Sequence, residues 1–392
     1  MSTGVCLREW VSLRPVPPER TAVVVVHGMS EKRPMETLDD FTRTALRPRC
    51  AEGEKTWDHQ SRPAEITDTY EARRFASAQA DVYEYHWSYL MTANTYAGAM
   101  PMTLRLLLRR PSNVPDALLG IWRRVWTVVV AILLAIPALF VTGYALNTDV
   151  PAWIIGVIIS AVVLVFWFGL YRMAAKALVN RTTTSLVDVA RYLDPSPYSY
   201  AARRAIRGGL VDLLHALHDG RYSRIVVVAH GVGTYISYDA LTVLWAEMQR
   251  QGNPWRITDF VTVGAPMALA DLLVTRPGLL SGFKRSEREM RRELFDGLVR
   301  RGALVIGSHS PFAVTRWTNL WFPVTRGSLH GDWFGGAVGP LFGPGIRDIA
   351  VHGNKPERLR RGSAHNEYFR HPEKDDEGDI AWHLRKTLAL QT

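Results

Sequence analysis

Two stretches without a formal charge, 125–146 and 152–171, stand in the middle of the chain, separated only by Asn147-Thr148-Asp149-Val150-Pro151. At ~1.5 Å per residue a helix over either one spans roughly 30 Å, the hydrocarbon thickness of a bilayer. A helix of that length inside a soluble core normally keeps a polar stripe, and neither stretch has one. The pair is expected to form a transmembrane helical hairpin. Trp122, Trp126, Tyr144, Trp153, Trp167 and Tyr171 sit near the ends of the runs, where an amphipathic ring is half wet and half apolar. Arg105, Arg109, Arg110, Arg123 and Arg124 precede the hairpin and Arg172, Lys176 and Arg181 follow it, while the connection carries neither Lys nor Arg, so both termini are expected on the cytoplasmic side. Pro137 inside the first run implies a kink, which neighbouring helices or water satisfy in a membrane. Pro101 to Arg110 fits either a short interfacial helix or an ordinary amphipathic surface helix.

The hairpin divides the chain into a first segment, 1–100, a membrane-associated insert, 101–181, and a second segment, 182–392. With 392 residues and 47% hydrophobic content there is ample material for a sizeable core. Cys6 and Cys50 are the only cysteines, without CxxC spacing, which argues against a disulfide framework or a zinc site. Met1 to Pro18 has no apolar run of signal-peptide length, so secretion is not expected. The formal net charge of +10 fits anionic lipid as well as nucleic acid. The basic cluster from Lys284 to Arg301 is interleaved with Glu287, Glu289, Glu293 and Asp296, the pattern of a solvated, ion-paired helix. No nucleic-acid partner is expected.

Outside the hairpin, short β-branched runs alternate with helical patterns, as βαβ units require. Strands are expected at Thr21–Val26, Asp81–Trp87, Arg224–Ala229 and Asp259–Gly264, with a fifth inside Ala313–Phe322. Their apolar runs suit a mainly parallel sheet covered on both faces. Helical spacing marks Ala201–His218 and Val232–Arg250, and a last helix is expected at Ile380–Leu390. The hairpin therefore interrupts a single α/β domain between its second and third expected strands.

The segment Ile225-Val226-Val227-Val228-Ala229-His230-Gly231-Val232-Gly233-Thr234 reads as a strand, a tight turn with small residues on both sides of a central position, and a helix. Upstream, Val23-Val24-Val25-Val26-His27-Gly28-Met29 is a strand followed by a His-Gly loop. Together, in this order, they resemble the α/β-hydrolase superfamily, closest to its lipase and esterase branches, over most of the chain outside the hairpin. Ile225 to Thr234 resembles the nucleophile elbow, whose central residue is exposed at the top of the sheet beside a helix N-terminus that favours anions. The resemblance implies an oxyanion hole at Gly28, Met29 and Val232. His230 is expected to pack beside the turn.

In that family the order is nucleophile, acid, histidine. Arg316 to Pro323 resembles the late strand, and Leu329-His330-Gly331-Asp332-Trp333-Phe334-Gly335-Gly336 follows, which makes Asp332 the candidate acid. The alternative for Asp332 is a turn cap in a glycine-rich loop. Asp348 and Asp271 are the other downstream acids. Ser363-Ala364-His365-Asn366-Glu367-Tyr368-Phe369 resembles the loop carrying the catalytic histidine, so His365 is the candidate base, ahead of His352 and His371.

The nucleophile position is Gly231, where the resemblance implies serine. Glycine has no side chain to attack a carbonyl, and Ser30 is not at an elbow, so the chain as written is expected to be inactive as a serine hydrolase. Three readings stay open: a variant of an active enzyme, a natural pseudohydrolase serving as a membrane-bound binding or signalling module, or a misplaced elbow. With serine at 231 the reaction would be acyl-ester hydrolysis, and attachment to a bilayer points to a membrane lipid or another acyl ester. Trp317, Trp321, Phe322, Trp333 and Phe334 fit core packing better than an acyl pocket. No phosphate-binding, dinucleotide or metal-ligand spacing occurs, so no cofactor is implied. The sequence does not specify an oligomeric state.

Overall fold

A computed structural model describes residues 20–28, 36–46, 61–64, 72–76, 80–91, 197–220, 222–268, 270, 310–324, 331–332, 334–342, 345–351, 364–369 and 377–390, with scattered positions between 114 and 192. The strands are β1 (Arg20–Val26), β2 (Ser61–Ala64), β3 (Ala72–Ala76), β4 (Ala80–Tyr85), β5 (Tyr222–His230), β6 (Ile257–Val263), β7 (Arg316–Trp321) and β8 (Arg347–Ala350). They form one eight-stranded sheet in the order β2-β3-β4-β1-β5-β6-β7-β8. From β4 to β8 every pairing is parallel, and β2 and β3 add an antiparallel edge.

The valine-rich strands are buried on both faces because helices cover both. Ala22, Val24 and Val26 of β1 and Ile225, Val227 and Ala229 of β5 point into one core. Val23, Val25, Val226 and Val228 point into the other. This is the period-2 alternation of a strand, with an apolar residue at both phases. Each fully buried valine contributes on the order of 1.5–3 kcal/mol. The first core is closed by α2 (Pro197–Asp219) and α3 (Val232–Gln251), the second by α1 (Glu36–Ala45) and α4 (Ile380–Leu388).

All five expected strands are present, with shifted ends. β4 stops at Tyr85 rather than at Trp87, because the Trp87 indole N–H donates to the His27 carbonyl at 3.0 Å and its ring stacks on His27 at 5.4 Å. β6 stops before Gly264, which turns with φ +58°. The helices expected over Ala201–His218 and Val232–Arg250 match α2 and α3 within a few residues. α1, the β2–β3 ribbon and β8 are additions to the sequence reading.

The apolar runs 125–146 and 152–171 lie mostly outside the described residues, as do Pro101–Arg110 and Lys284–Arg301. Trp126, Val130, Leu133 and Pro137 of the first run, and Ile154, Gly156, Val157 and Ala161 of the second, are helical. Among the described residues no helix is long and apolar enough to cross a membrane. The chain leaves the sheet after β4 and returns at the N-terminus of α2, and both points lie at the carboxyl edge of the parallel strands.

Candidate active site

From β1 the chain crosses to β4 on one side, and from β5 it proceeds to β6, β7 and β8 on the other. The carboxyl ends of β1 and β5 therefore flank a topological switch point, where open α/β sheets leave a crevice. The His27-Gly28 loop and the turn at Gly231 both sit there.

Gly231 adopts φ 53°, ψ −128°, a positive-φ conformation that glycine enters without strain. Its N–H donates to the Val263 carbonyl at 3.1 Å and its carbonyl accepts from Thr234 at 3.0 Å, so the turn is held from the neighbouring strand and from α3. α3 begins at Val232, and the amides of its first turn have no carbonyl within the helix to donate to. Gly233 is needed for close approach: a Cβ there would lie 2.5 Å from the Val26 carbonyl oxygen and 2.7 Å from that of His27. The elbow is thereby pressed against the end of β1.

A Cβ on Gly231 would lie 3.0 Å from His365 Nε2 and 3.5 Å from Gly28 Cα. The histidine ring is thus aimed at the side-chain position of residue 231, although His365 is 134 positions further along the sequence. His365 Nδ1 donates to Asp332 Oδ2 at 2.9 Å. Asp332 is fully buried and also accepts from the Tyr368 hydroxyl at 2.8 Å and the Phe334 amide at 2.8 Å. Burial alone would raise the Asp332 pKa, but the adjacent His365 and the hydrogen bonds from His365, Gly335 and Phe334 outweigh it and hold the carboxyl below its usual range. An ionised carboxylate only accepts, so Nδ1 carries the proton and, in the neutral ring, the Nε2 lone pair faces the elbow.

Burial first, and then the Asp332 charge, pushes the Tyr368 phenol well above its ordinary range, which keeps it a donor. The Tyr368 oxygen in turn accepts from the Phe322 amide at 3.1 Å. His230 is buried beside the turn, as expected, and donates Nε2–H to the His365 carbonyl at 2.8 Å. His27 is also buried; its Nδ1 donates to the Gly28 carbonyl at 2.6 Å and its Nε2 accepts from the Trp87 amide at 3.4 Å.

The structure therefore brings together Gly231, Asp332, His365, Gly28 and Val232 of the sequence-derived site. Met29 lies outside the described residues, as do Ser30, Asp271, His352 and His371. Asp348 is engaged elsewhere, accepting from Asn319 Nδ2 at 2.7 Å and from the amides of Val338 and Gly339. Of the aromatic residues weighed as an acyl pocket, Trp317, Phe322 and Phe334 are buried in the cores; Trp333 lies outside the described residues.

The sequence reading assigned no site role to Tyr368 or His27. The signal for Tyr368 was its spacing: it lies three residues after His365, just beyond the 3₁₀ turn Ala364–Asn366. Among the described residues no cluster of His, Cys, Asp and Glu is arranged to hold a metal ion. No protein-family model, curated protein or solved structure matches the chain.

Proposed function

We propose that the chain is a membrane-anchored protein of the serine-hydrolase type, built on an α/β-hydrolase scaffold and silenced at Gly231. The observation that carries this reading is the 3.0 Å separation between His365 Nε2 and the Cβ position of residue 231, with Asp332 on the other ring nitrogen. A nucleophile, a base and a group that orients the base form the constellation of acyl transfer, and here only the nucleophile is missing. With serine at 231, His365 takes the hydroxyl proton as Oγ attacks an ester carbonyl and returns it to the leaving alcohol. Asp332 holds the tautomer throughout. The first-turn amide of Val232, with the Gly28-Met29 loop, would bind the oxyanion.

The membrane part of the reading rests on the two apolar runs and on what their described side chains do. Val130, Leu133 and Val157 are 44%, 60% and 54% exposed, respectively, whereas helices of a soluble core would hide them. Gly156 is buried, as small residues are where membrane helices approach one another. An anchored hydrolase meets membrane lipid at high local concentration, so lipid or other acyl esters are the favoured substrate class.

A second reading, a natural pseudohydrolase used as a membrane-bound binding module, is favoured by the backbone of Gly231, whose positive φ suits glycine better than serine. Labelling with a fluorophosphonate in membranes separates the two readings. Labelling of Gly231→Ser but not of the chain as written, abolished by adding His365→Ala, is the result expected for a hydrolase silenced at one position. Absence of labelling in Gly231→Ser, with the fold intact, would leave the binding module as the better reading.

A further inference from the structure

α2 extends past the sheet. The Tyr85 hydroxyl, at the end of β4, donates to the Ile206 carbonyl and lies where Gly209 has no Cβ, which sets Ile206 level with the carboxyl edge. The nine residues before it, Pro197–Ala205, therefore rise on the order of 13 Å beyond that edge. Tyr200, Ala201, Arg204 and Ala205 are all exposed there and share one helix face about 140° wide. Tyr200 is 53% exposed, and Tyr89, across a cleft of about 520 Å³ from it, is 46% exposed.

The upper part of α2, Arg203 and Arg204 on the projection and half-buried Arg207 just below Ile206, is basic, and Asp212 and Glu247 line the cleft below Arg204 and Arg207. Arg203, Arg204 and Arg207 stand at i, i+3 and i, i+4 spacings, where like charges repel, and no Asp or Glu lies within a turn of any of them. Arg203 covers the Tyr200 ring at 5.9 Å and donates to the Tyr192 carbonyl at 3.2 Å. The acids of the helix, Asp212 and Asp219, lie in its lower half. Basic residues toward the N-terminus and acidic ones toward the C-terminus are the reverse of what the helix dipole favours, so the helix itself does not account for the pattern.

We propose that the projecting turns of α2, with Tyr89, form a docking face for the surface of an anionic lipid leaflet. Arg204, and Arg207 at the foot of the projection, would meet phosphate and carboxylate headgroups, and Tyr200 and Tyr89 the half-wet interface in which tyrosine is favoured. Continuity of the chain places this face beside the roots of the apolar runs: Leu119 and Trp122 before them, and Val189 and Tyr192 after them, pack on the same core as α2. The same edge carries Gly231 and His365, so docking turns the mouth of the candidate site toward the leaflet. A substrate would then enter from the lipid, as an amphiphilic ester. The proposal rests on the membrane part of the function reading and is independent of the residue at 231.

The test uses the full chain with Cys6 and Cys50 replaced by serine and an environment-sensitive fluorophore on Tyr200→Cys or, as the opposite-edge control, Ser223→Cys. It is reconstituted in phosphatidylcholine vesicles with and without about one-third phosphatidylserine, with headgroup-quencher lipid in both. The expected result is quenching at 200 but not at 223, stronger with phosphatidylserine and relieved by salt. Arg204→Ala and Arg207→Ala should each shift the docked fraction about fivefold. Equal quenching at both positions, or no response to phosphatidylserine or to the arginine changes, in a chain that resists alkaline extraction overturns the docking face and leaves the hairpin intact. A chain that is extracted, yet still binds the anionic vesicles through Arg204 and Arg207, sustains the docking face and overturns the hairpin. A chain that does neither overturns both.

Discussion

His230 donates its Nε2–H to the backbone carbonyl of His365 at 2.8 Å, and the two rings lie 4.8 Å apart. The last residue of β5 thereby holds the loop that carries the candidate base, so the elbow and the base keep a common register.

That contact gives the first prediction. In a Gly231→Ser background, His230→Ala leaves the His365 carbonyl without its donor and frees the loop. The loss of one such bond, at about 1–1.5 kcal/mol, corresponds to roughly a tenfold fall in the rate of fluorophosphonate labelling. His230→Gln, which retains an N–H donor, should fall less. Equal rates for all three proteins would mean that His230 only fills space.

Gly231→Ser should itself cost stability. Serine at φ 53°, ψ −128° sits in a backbone region that non-glycine residues occupy at a cost of about 1–3 kcal/mol. The new Cβ also requires the His365 ring to retreat by a few tenths of an ångström from 3.0 Å. Urea unfolding should show a lower midpoint for the serine form with an unchanged slope. A serine form as stable as the parent would show that the elbow carries no strain.

The central strands and the Asp–His pair were legible in the sequence because their signals are local: β-branched runs, a small-residue turn, and a loop with an acid or a histidine at a recognisable place. The β2–β3 ribbon was not, since Ser61–Ala64 contains a proline and Ala72–Ala76 two adjacent arginines, features of an edge rather than of a buried strand. β8 is four residues long and carries Arg347 and Asp348, so it has no hydrophobic pattern to read. Tyr368 and His27 depend on contacts across the fold, and sequence spacing shows only that such contacts are possible. Asp332 was preferred to Asp348 for its place in the loop after the late strand, and it is Asp332 whose carboxylate meets His365. What separates the two chemically, a histidine against a set of backbone amides, is visible only in three dimensions.

Asp332 gives a prediction in pH. Its pKa in the folded protein lies below the ordinary value of 3.8, so the group contributes stability that is fully present above that value and is lost as pH falls through the folded pKa. Stability of the parent should therefore decline below about pH 4 through this group. Asp332→Asn cannot titrate; it should be less stable than the parent at neutral pH, by about 1.5–3 kcal/mol for the charged hydrogen bonds lost. The gap should narrow toward pH 3, as measured by thermal unfolding across that range. A constant gap would assign the acid sensitivity to other carboxylates.

Leu133 distinguishes a lipid-facing helix from a merely exposed one. It is 60% exposed in the middle of the first apolar run, with Val130 one turn before it also exposed. On the surface of a water-soluble helix, Leu133→Arg should change stability by no more than about 0.5 kcal/mol. In a bilayer the same change places a guanidinium near the hydrocarbon centre at about 2.5–3.5 kcal/mol, which moves the insertion equilibrium on the order of a hundredfold. Alkaline extraction of membranes from expressing cells should release Leu133→Arg to a much greater extent than the parent, and Leu133→Phe, which keeps the apolar surface, should stay in the pellet. Were Leu133→Arg and the parent to partition alike, the 125–146 run would not be embedded in lipid, and the exposed apolar face of Val130 and Leu133 would need a protein partner instead.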